Sequence, residues 1–348
     1  RFGHEPGPAE LGVILVLVFG LATVTWRLVE MPFRDRSRTA IRPIAKGLAA
    51  TAAGFVAFHV LGQATDGLPG RLPEEIRQVV ILPADRYDRD ACTFKGPVDD
   101  TAAVAACYDP GNTVYLIGDS HARALALSMR PALEADGYAF IAWAENACMP
   151  IPRTARPRAD AACQTYKAQL FAFLEDHPGT LVMASRWRLN LTGDGYDNGE
   201  GGKDYRSDVT NVVVGEGGRD LFEHVRTQLS RMTADYPTVI VDQIPEAGWD
   251  VPDKMGKAIL LGEDAGALTT SYDVYKQANR RVSALFSDLS DTATIIHTAD
   301  LVCDDTTGRC LNELDGRPLY HDSNHPSQVL AEMISRKVRE VLKDGGAS

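Results

Sequence analysis

The sequence is poor in positive charge. Its 36 Lys and Arg stand against 47 Asp and Glu, for a net charge of −11. A nucleic-acid partner calls for a basic patch or stripe, and a balance this acidic argues against one. Cysteine is scarce and comes late: none precedes Cys92, and no two of the six have the Cys-x-x-Cys spacing of a zinc ribbon. No metal site is expected. Internal repeats and coiled-coil heptads are lacking too. The longest irregular stretch, "LTGDGYDNGEGGKDYRSD", is rich in Gly and Asp, but its ligand spacing is wrong for an EF-hand. It reads as a flexible surface loop.

What is present divides unevenly along the chain. Leu11 to Leu28, "LGVILVLVFGLATVTWRL", is almost wholly apolar over about the 18–20 residues that a bilayer core requires. Trp26 and Arg27 at its end suit a membrane interface. A basic stretch follows, carrying Arg34, Arg36, Arg38, Arg42 and Lys46, and then a weaker apolar run, Gly47 to Gly62, rich in Ala and Gly. The expectation is a membrane segment over residues 1–66 with two transmembrane helices, at about 11–29 and 44–62, and a cytoplasmic basic loop between them. Residues 67–348 would then form one domain outside the cytoplasm. Two buried core helices are the alternative. A signal peptide fits less well, because the basic residues follow the first apolar run instead of preceding it. The chain starts on Arg1, so it is expected to be the C-terminal portion of a longer membrane protein.

The cysteines fit that topology, since all six follow the apolar segments. They fall into three local pairs, Cys92 with Cys107, Cys148 with Cys163 and Cys303 with Cys310. Sequence alone leaves the connectivity open, but the grouping reads as three local disulfides formed in an oxidising compartment.

From about Leu68 the sequence is that of an ordinary globular domain. Strand candidates at Val114–Ile117, Ala139–Trp143, Thr180–Ala184, Thr238–Val241 and Thr294–Ile296 alternate with amphipathic helix candidates. The helices lie at Arg123–Asp136, Gln164–His177, Asp220–Asp235, Tyr272–Leu289 and Ser327–Lys343. Such alternation predicts an α/β fold with a parallel sheet and helices on both faces. Sites in these sheets form beyond the carboxyl ends of the strands.

Gly-Asp-Ser-His, residues 118–121, falls at such a place. Ser120 on a strand-to-helix turn would expose its hydroxyl beside the first helical N–H groups, although a serine that only caps the helix looks the same. A nucleophilic serine needs a base and the base needs an orienting group. Of the eight histidines, most stand alone; one cluster, "LYHDSNHPS", holds His321, Asp322 and His325. Asp322 and His325, three residues apart on a turn, are spaced for a carboxylate to face an imidazole.

GDSH early in an α/β domain and DxxH before its last helix resemble the first and last blocks of the SGNH hydrolase superfamily. More narrowly, the chain resembles the SGNH domain fused behind an acyltransferase-3 membrane domain. "RLVEMPFR", "NACMPI", "PEAGWDVP" and "LVCDDTTGRCLNELDGRPLYHDSNHPS" carry that likeness, which covers essentially the whole chain. The resemblance implies a flavodoxin-like three-layer α/β/α fold, with Ser120 as nucleophile, His325 as general base and Asp322 as its orienting partner. The backbone N–H of Ser120 would be one oxyanion donor. The superfamily's oxyanion glycine and asparagine are not at their expected places. Asn146 is a candidate at the first, within "AENACMP"; Arg186, Trp187 and Asn190 are candidates at the second, within "ASRWRLN". Pro326 is expected to start the last helix.

The resemblance further implies O-acyl, usually acetyl, transfer to hydroxyls of an envelope polysaccharide or lipid-linked glycan. The upstream membrane domain would use an acyl donor such as acetyl-CoA, with no cofactor held in this domain. The setting would be a bacterial inner membrane, with the lipid bilayer around residues 1–66 and the SGNH domain in the periplasm. A periplasmic carbohydrate O-acetylesterase and an inactive glycan-binding module remain as alternatives.

Overall fold

The computed structural model describes residues 8–34, 41–65, 67, 70, 72–80, 87–155, 161–204, 211–214, 220–263 and 268–345. The chain divides into two compact units, Arg1–Arg77 and Gln78–Ser348.

The first unit is helical. Helix α1, Pro8–Thr25, runs through a π-helical turn at Trp26–Glu30 into Met31–Arg34, and helix α2 spans Ile41–Ala64. Within them Leu11–Glu30 and Ala45–Ala64, 20 residues each, have mean hydropathies of 2.1 and 1.3 and no buried residue. Both are long and apolar enough to cross a membrane, by length and composition. The hydroxyls of Thr23 and Thr51 donate to the carbonyls of Phe19 and Gly47 one turn back. These polar side chains are therefore satisfied within their own helices, as hydrocarbon surroundings demand. The apolar segments anticipated at 11–29 and 44–62 fall on these two helices. Arg36 and Arg38 of the basic stretch lie outside the described residues.

The second unit is built on a six-stranded, all-parallel sheet. Its strands are β1 Thr93–Lys95, β2 Thr113–Gly118, β3 Ala139–Ala144, β4 Thr180–Ala184, β5 Thr238–Val241 and β6 Thr294–Ile296, in spatial order β1-β3-β2-β4-β5-β6. Successive side chains of a strand point to opposite faces, and here both faces are covered. Val114 and Leu116 pack with Leu125, Met129 and Leu133 of helix α3, Ser120–Glu134. The same cluster takes in Val251 and Met255 of α7, Val251–Leu261, and Leu330 and Ile334 of α9, Gln328–Lys343. Tyr115 and Ile117 face the other way. They meet Tyr166 and Leu170 of α4, Ala161–Asp176, Leu229 of α6, Leu221–Asp235, and Phe286 of α8, Tyr272–Ser287. A strand buried on both faces reads as a continuous apolar run, which is why "TVYLIG" stands out. Each fully buried Leu or Met contributes about 1.5–3 kcal/mol to folding.

All five anticipated strands form, and a sixth, β1, joins the edge beside β3. Three residues, one of them exposed, leave no periodic signal. The segment is pinned from outside: Trp143 Nε1 donates to the carbonyl of Gly96 at 2.8 Å, and Arg130 reaches Thr93 Oγ1 and the Asp88 carboxylate. Helix α7 was not anticipated either, though Asp250 caps it by accepting from the N–H of Asp253, with Pro252 in its first turn. Three disulfides form as the local pairs: Cys92–Cys107, Cys148–Cys163 and Cys303–Cys310. The last joins directly opposed residues of a small antiparallel sheet.

The Gly/Asp-rich stretch differs from expectation. Over its described residues, up to Asp204, it is an ordered loop. Asn198 is buried, accepts from the N–H groups of Glu200 and Gly202, and donates to the carbonyl of Ala247. Arg309 forms a bidentate pair with Glu200. A polar composition looked like solvent-facing loop, whereas here the polar groups satisfy one another. Its last residues, 205–208, lie outside the described residues.

Candidate active site

Three adjacent strands end in register. Gly118 of β2 pairs with Ala144 of β3 on one side and Ala184 of β4 on the other. Ser120, Asn146 and Arg186 each follow those strand ends by two residues, so parallel pairing gathers them at one edge of the sheet. Gly118 is required there. Its φ is +153°, and a Cβ would lie 1.7 Å from the carbonyl oxygen of Ala184. Asp119 caps α3, with Oδ1 accepting from the N–H of His121 at 2.9 Å. Its Oδ2 accepts from Ser185 Oγ at 2.7 Å and from the N–H of Arg186 and Nδ2 of Asn190, both at 2.9 Å. Asp119 is thus buried and fully bonded, while Ser120, the first helical residue, stays half-buried. Its N–H has no carbonyl one turn earlier to bind.

The other half of the site is a local turn. Oδ1 of Asp322 accepts from the N–H groups of Asn324 and His325, both at 2.8 Å, an arrangement that Asp favours in loops. Its Oδ2 lies 2.7 Å from Nδ1 of His325, and Nε2 of His325 lies 2.8 Å from Oγ of Ser120. A carboxylate only accepts, so Nδ1 carries the proton and Nε2 presents a lone pair to the serine hydroxyl. Burial works against charge on Asp322, but the hydrogen bond from His325 and the two backbone donors outweigh it and hold the carboxyl well below its ordinary range. The turn is anchored at both flanks. The N–H groups of Ala247 and Gly248 donate to the carbonyl of Ser323 at 3.0 Å, and Ser327 Oγ donates to the carbonyl of Pro318 at 2.7 Å. Chemically, the arrangement offers a hydroxyl whose proton has a positioned acceptor, beside the N–H of Ser120 at a helix start. That is what acyl transfer through a serine ester needs.

A family model described as an SGNH domain fused to AT3 domains matches residues 82–340. The chain belongs to this SGNH family. The fold resembles the periplasmic domain of a lipopolysaccharide acetyltransferase from Salmonella ser. Paratyphi A, with 14% identity and a TM-score of 0.50, over 72% of this chain and 91% of that one. It is also matched to a carbohydrate acetylesterase from Sinorhizobium meliloti, with 14% identity and a TM-score of 0.34, over 67% of this chain and 99% of that one. No curated protein matches the sequence.

The remaining candidates of this SGNH domain are placed differently from one another. Trp187 does not line the site. It is fully buried against Phe286, and its Nε1 donates to the carbonyl of Val241 at 2.9 Å, so it is a core residue of α5, Trp187–Thr192. Arg186 is committed elsewhere: Nε and Nη2 bind the Glu246 carboxylate at 3.1 and 2.5 Å, and Nη2 binds Asp204 at 2.8 Å. Burial opposes both charges, yet their pairing wins and keeps Glu246 ionised below the ordinary carboxylate range. Asn190 turns inward and supports Asp119. Asn146 remains at the rim, exposed, with Oδ1 accepting from Arg123 Nη1 at 2.8 Å while the Arg123 guanidinium lies 4.3 Å over the Tyr87 ring. Pro326 does not begin α9. Its carbonyl lies 3.1 Å from His321 Nδ1, and Ser327 occupies the cap position before Gln328.

The support roles of Asp119 and Glu246 were not apparent in the sequence. Arg123, three residues after Ser120, shares its helix face, and that spacing was a usable signal. Among the described residues, one group of three or more His, Cys, Asp or Glu brings its donor atoms within 4.8 Å of one another: His321, Asp322 and His325. Two of these three are the pair already joined to Ser120, so the donor set is occupied by that hydrogen-bonded chain.

Proposed function

We propose that this SGNH domain transfers an acyl group, of acetyl size, to a hydroxyl of an envelope polysaccharide or lipid-linked glycan through a serine ester. Ser120 Oγ attacks the acyl carbonyl carbon and His325 Nε2 takes the hydroxyl proton. Asp322 holds the ring and stabilises the imidazolium. The leaving group departs with that proton. A sugar hydroxyl then attacks the Ser120 ester, gives its proton to Nε2, and leaves as the acylated glycan while Ser120 regains its proton. The N–H of Ser120 and the loop bearing Asn146, pinned by Arg123, face the developing oxyanion.

The observation that carries this reading is the 2.8 Å approach of Ser120 Oγ to His325 Nε2, across 205 residues. Three disulfides and two apolar helices support an extracytoplasmic domain tethered to a bacterial inner membrane, with residues 34–46 on the cytoplasmic side. The family description supports an upstream AT3 domain that handles the donor, acetyl-CoA in this reading.

The test compares wild type with Ser120→Ala, following acetylated glycan and free acetate separately. The variant should lose at least about a thousandfold of acyl transfer. Free acetate with no acetylated glycan would replace transfer by hydrolysis, making the protein an esterase. Full activity in Ser120→Ala would leave only a binding role.

A further inference from the structure

The mechanism leaves one buried imidazole unused. His121 follows Ser120 directly, sits in the first turn of α3 and is completely buried. Its Nε2 lies 3.1 Å from Oδ1 of Asn324. Asn324 Nδ2 donates to Ser323 Oγ at 3.0 Å, and Oδ1 is the amide atom that faces His121. Nε2 therefore carries the ring proton, and Nδ1 makes no hydrogen bond. A buried polar atom without a partner is a cost, and simple space-filling does not account for it, because an apolar side chain would fill the same volume without it.

Asn324 lies between the two residues that act on Ser120, and its own N–H is bound by Asp322 Oδ1. The rings of His121 and His325 stand 5.0 Å apart, centroid to centroid. One imidazole thus touches both halves of the site, the helix that starts at the nucleophile and the turn that carries the base.

We infer that His121 is a positioning residue, a latch from α3 to the Asp322–His325 turn that keeps Ser120 Oγ within reach of His325 Nε2. The inference rests on the reading of Ser120 as nucleophile. Charged and titratable groups face His121 from several elements: Asp119 on its own turn, Arg186 beyond β4, Glu246 beyond β5, and His325. Burial is the largest influence on the ring and draws its pKa down to about 4. The latch is therefore neutral when His325 collects its proton, and a neutral neighbour does not oppose the imidazolium.

The full 348-residue chain in nanodiscs, assayed with p-nitrophenyl acetate and labelled at Ser120 by a fluorophosphonate, tests this. His121→Leu should lower kcat and the labelling rate roughly ten- to a hundredfold with KM unchanged, the loss expected when a reacting pair is misplaced by about 1 Å. His121→Gln, which can still donate to Asn324, should recover most of that loss. Asn324→Leu should match His121→Leu, and the double variant should be no worse than either single one. A merely structural role would lower the melting temperature in both His121 variants without separating them in kcat. His121→Leu with wild-type kcat overturns the latch, as does equal loss in His121→Leu and His121→Gln. If His121→Leu does not fold, Asn324→Asp, which keeps the acceptor oxygen, should outperform Asn324→Leu, and equal loss in those two also overturns it. A wild-type chain that neither turns over nor is labelled overturns the nucleophile reading, and the latch with it.

Discussion

The carboxylate of Asp119 receives the hydroxyl of Ser185 at 2.7 Å, joining the ends of two neighbouring parallel strands. The same carboxylate accepts from Arg186, Asn190 and His121, so four donors converge on one buried group and fix the start of α3. Asp119→Ala removes the acceptor of Ser185 Oγ and of the N–H groups of His121 and Arg186 in a dry site, which costs on the order of 3–5 kcal/mol. Denaturant unfolding of the variant should show that loss, and fluorophosphonate labelling of Ser120 should slow with it. A variant of wild-type stability would mean that the turn is held by other contacts.

Gly118→Ala tests the turn from the backbone side. The new methyl meets the carbonyl oxygen of Ala184 at 1.7 Å and the Cβ of Ala122 at 2.9 Å, and neither neighbour is a flexible side-chain end. The strand pair β2–β4 must part or the turn must shift, for a loss of about 4 kcal/mol or more. Thermal melts should show a large drop, or no folded protein. Full stability with full activity would contradict the close packing of these strands.

The three disulfides should differ in worth. In the chain-entropy account, the pairs separated by 15 residues stabilise by about 3 kcal/mol, and the pair separated by 7 by rather less. Cys148 and Cys163 are also both buried, and their bond ties the loop bearing Asn146 to α4. Replacing this pair by serine should therefore cost most and reduce activity, while Cys303→Ser with Cys310→Ser should cost least and leave Ser120 labelling unchanged. Melting temperatures and labelling rates of the three double variants give the ranking, and an equal loss from all three would defeat the argument.

Local and periodic signals were legible in the sequence. "TVYLIG" announced a strand buried on both faces, and Asp322 with His325 three residues apart announced a turn that needs nothing from elsewhere. The meeting of that turn with Ser120 followed from motif order, not from any spacing. What could not be read was tertiary commitment. Arg186 and Trp187 stood at the right strand end for a catalytic part, but Glu246, 60 residues away, claims the guanidinium, and the carbonyl of Val241 claims the indole. Likewise β1 is too short to carry a period and exists because Arg130 and Trp143 hold it. Long-range hydrogen bonds of this kind leave no trace in local composition, so two asparagines that both follow strand ends divide without warning, Asn146 to the exposed rim and Asn190 to the buried interior.

The depressed pKa of His121 makes a final expectation about acid. In the unfolded chain this ring titrates near 6.5; in the folded protein burial brings it to about 4. Between those values the unfolded state binds more protons, so stability is complete above about pH 6.5 and falls as the pH drops towards 4, by on the order of 3 kcal/mol. Other groups contribute alike in wild type and in a His121 variant, among them Glu246 and Glu200, whose carboxyls are held low in the folded state and whose stability is lost from about the ordinary carboxylate pKa downwards. Asp322, held low in the folded state, gives stability that is present above the ordinary carboxylate pKa and is lost only in stronger acid. His297, raised by its bond to Asp242, gives stability that is present below about pH 6.5 and lost above it, the opposite slope on the other side. His121→Gln has no ring to protonate, so wild type should lose more stability than this variant between pH 6.5 and 4. Urea unfolding of both proteins at half-unit steps of pH measures the difference, and parallel curves would mean that the folded protein admits a proton to His121 as readily as the unfolded chain does.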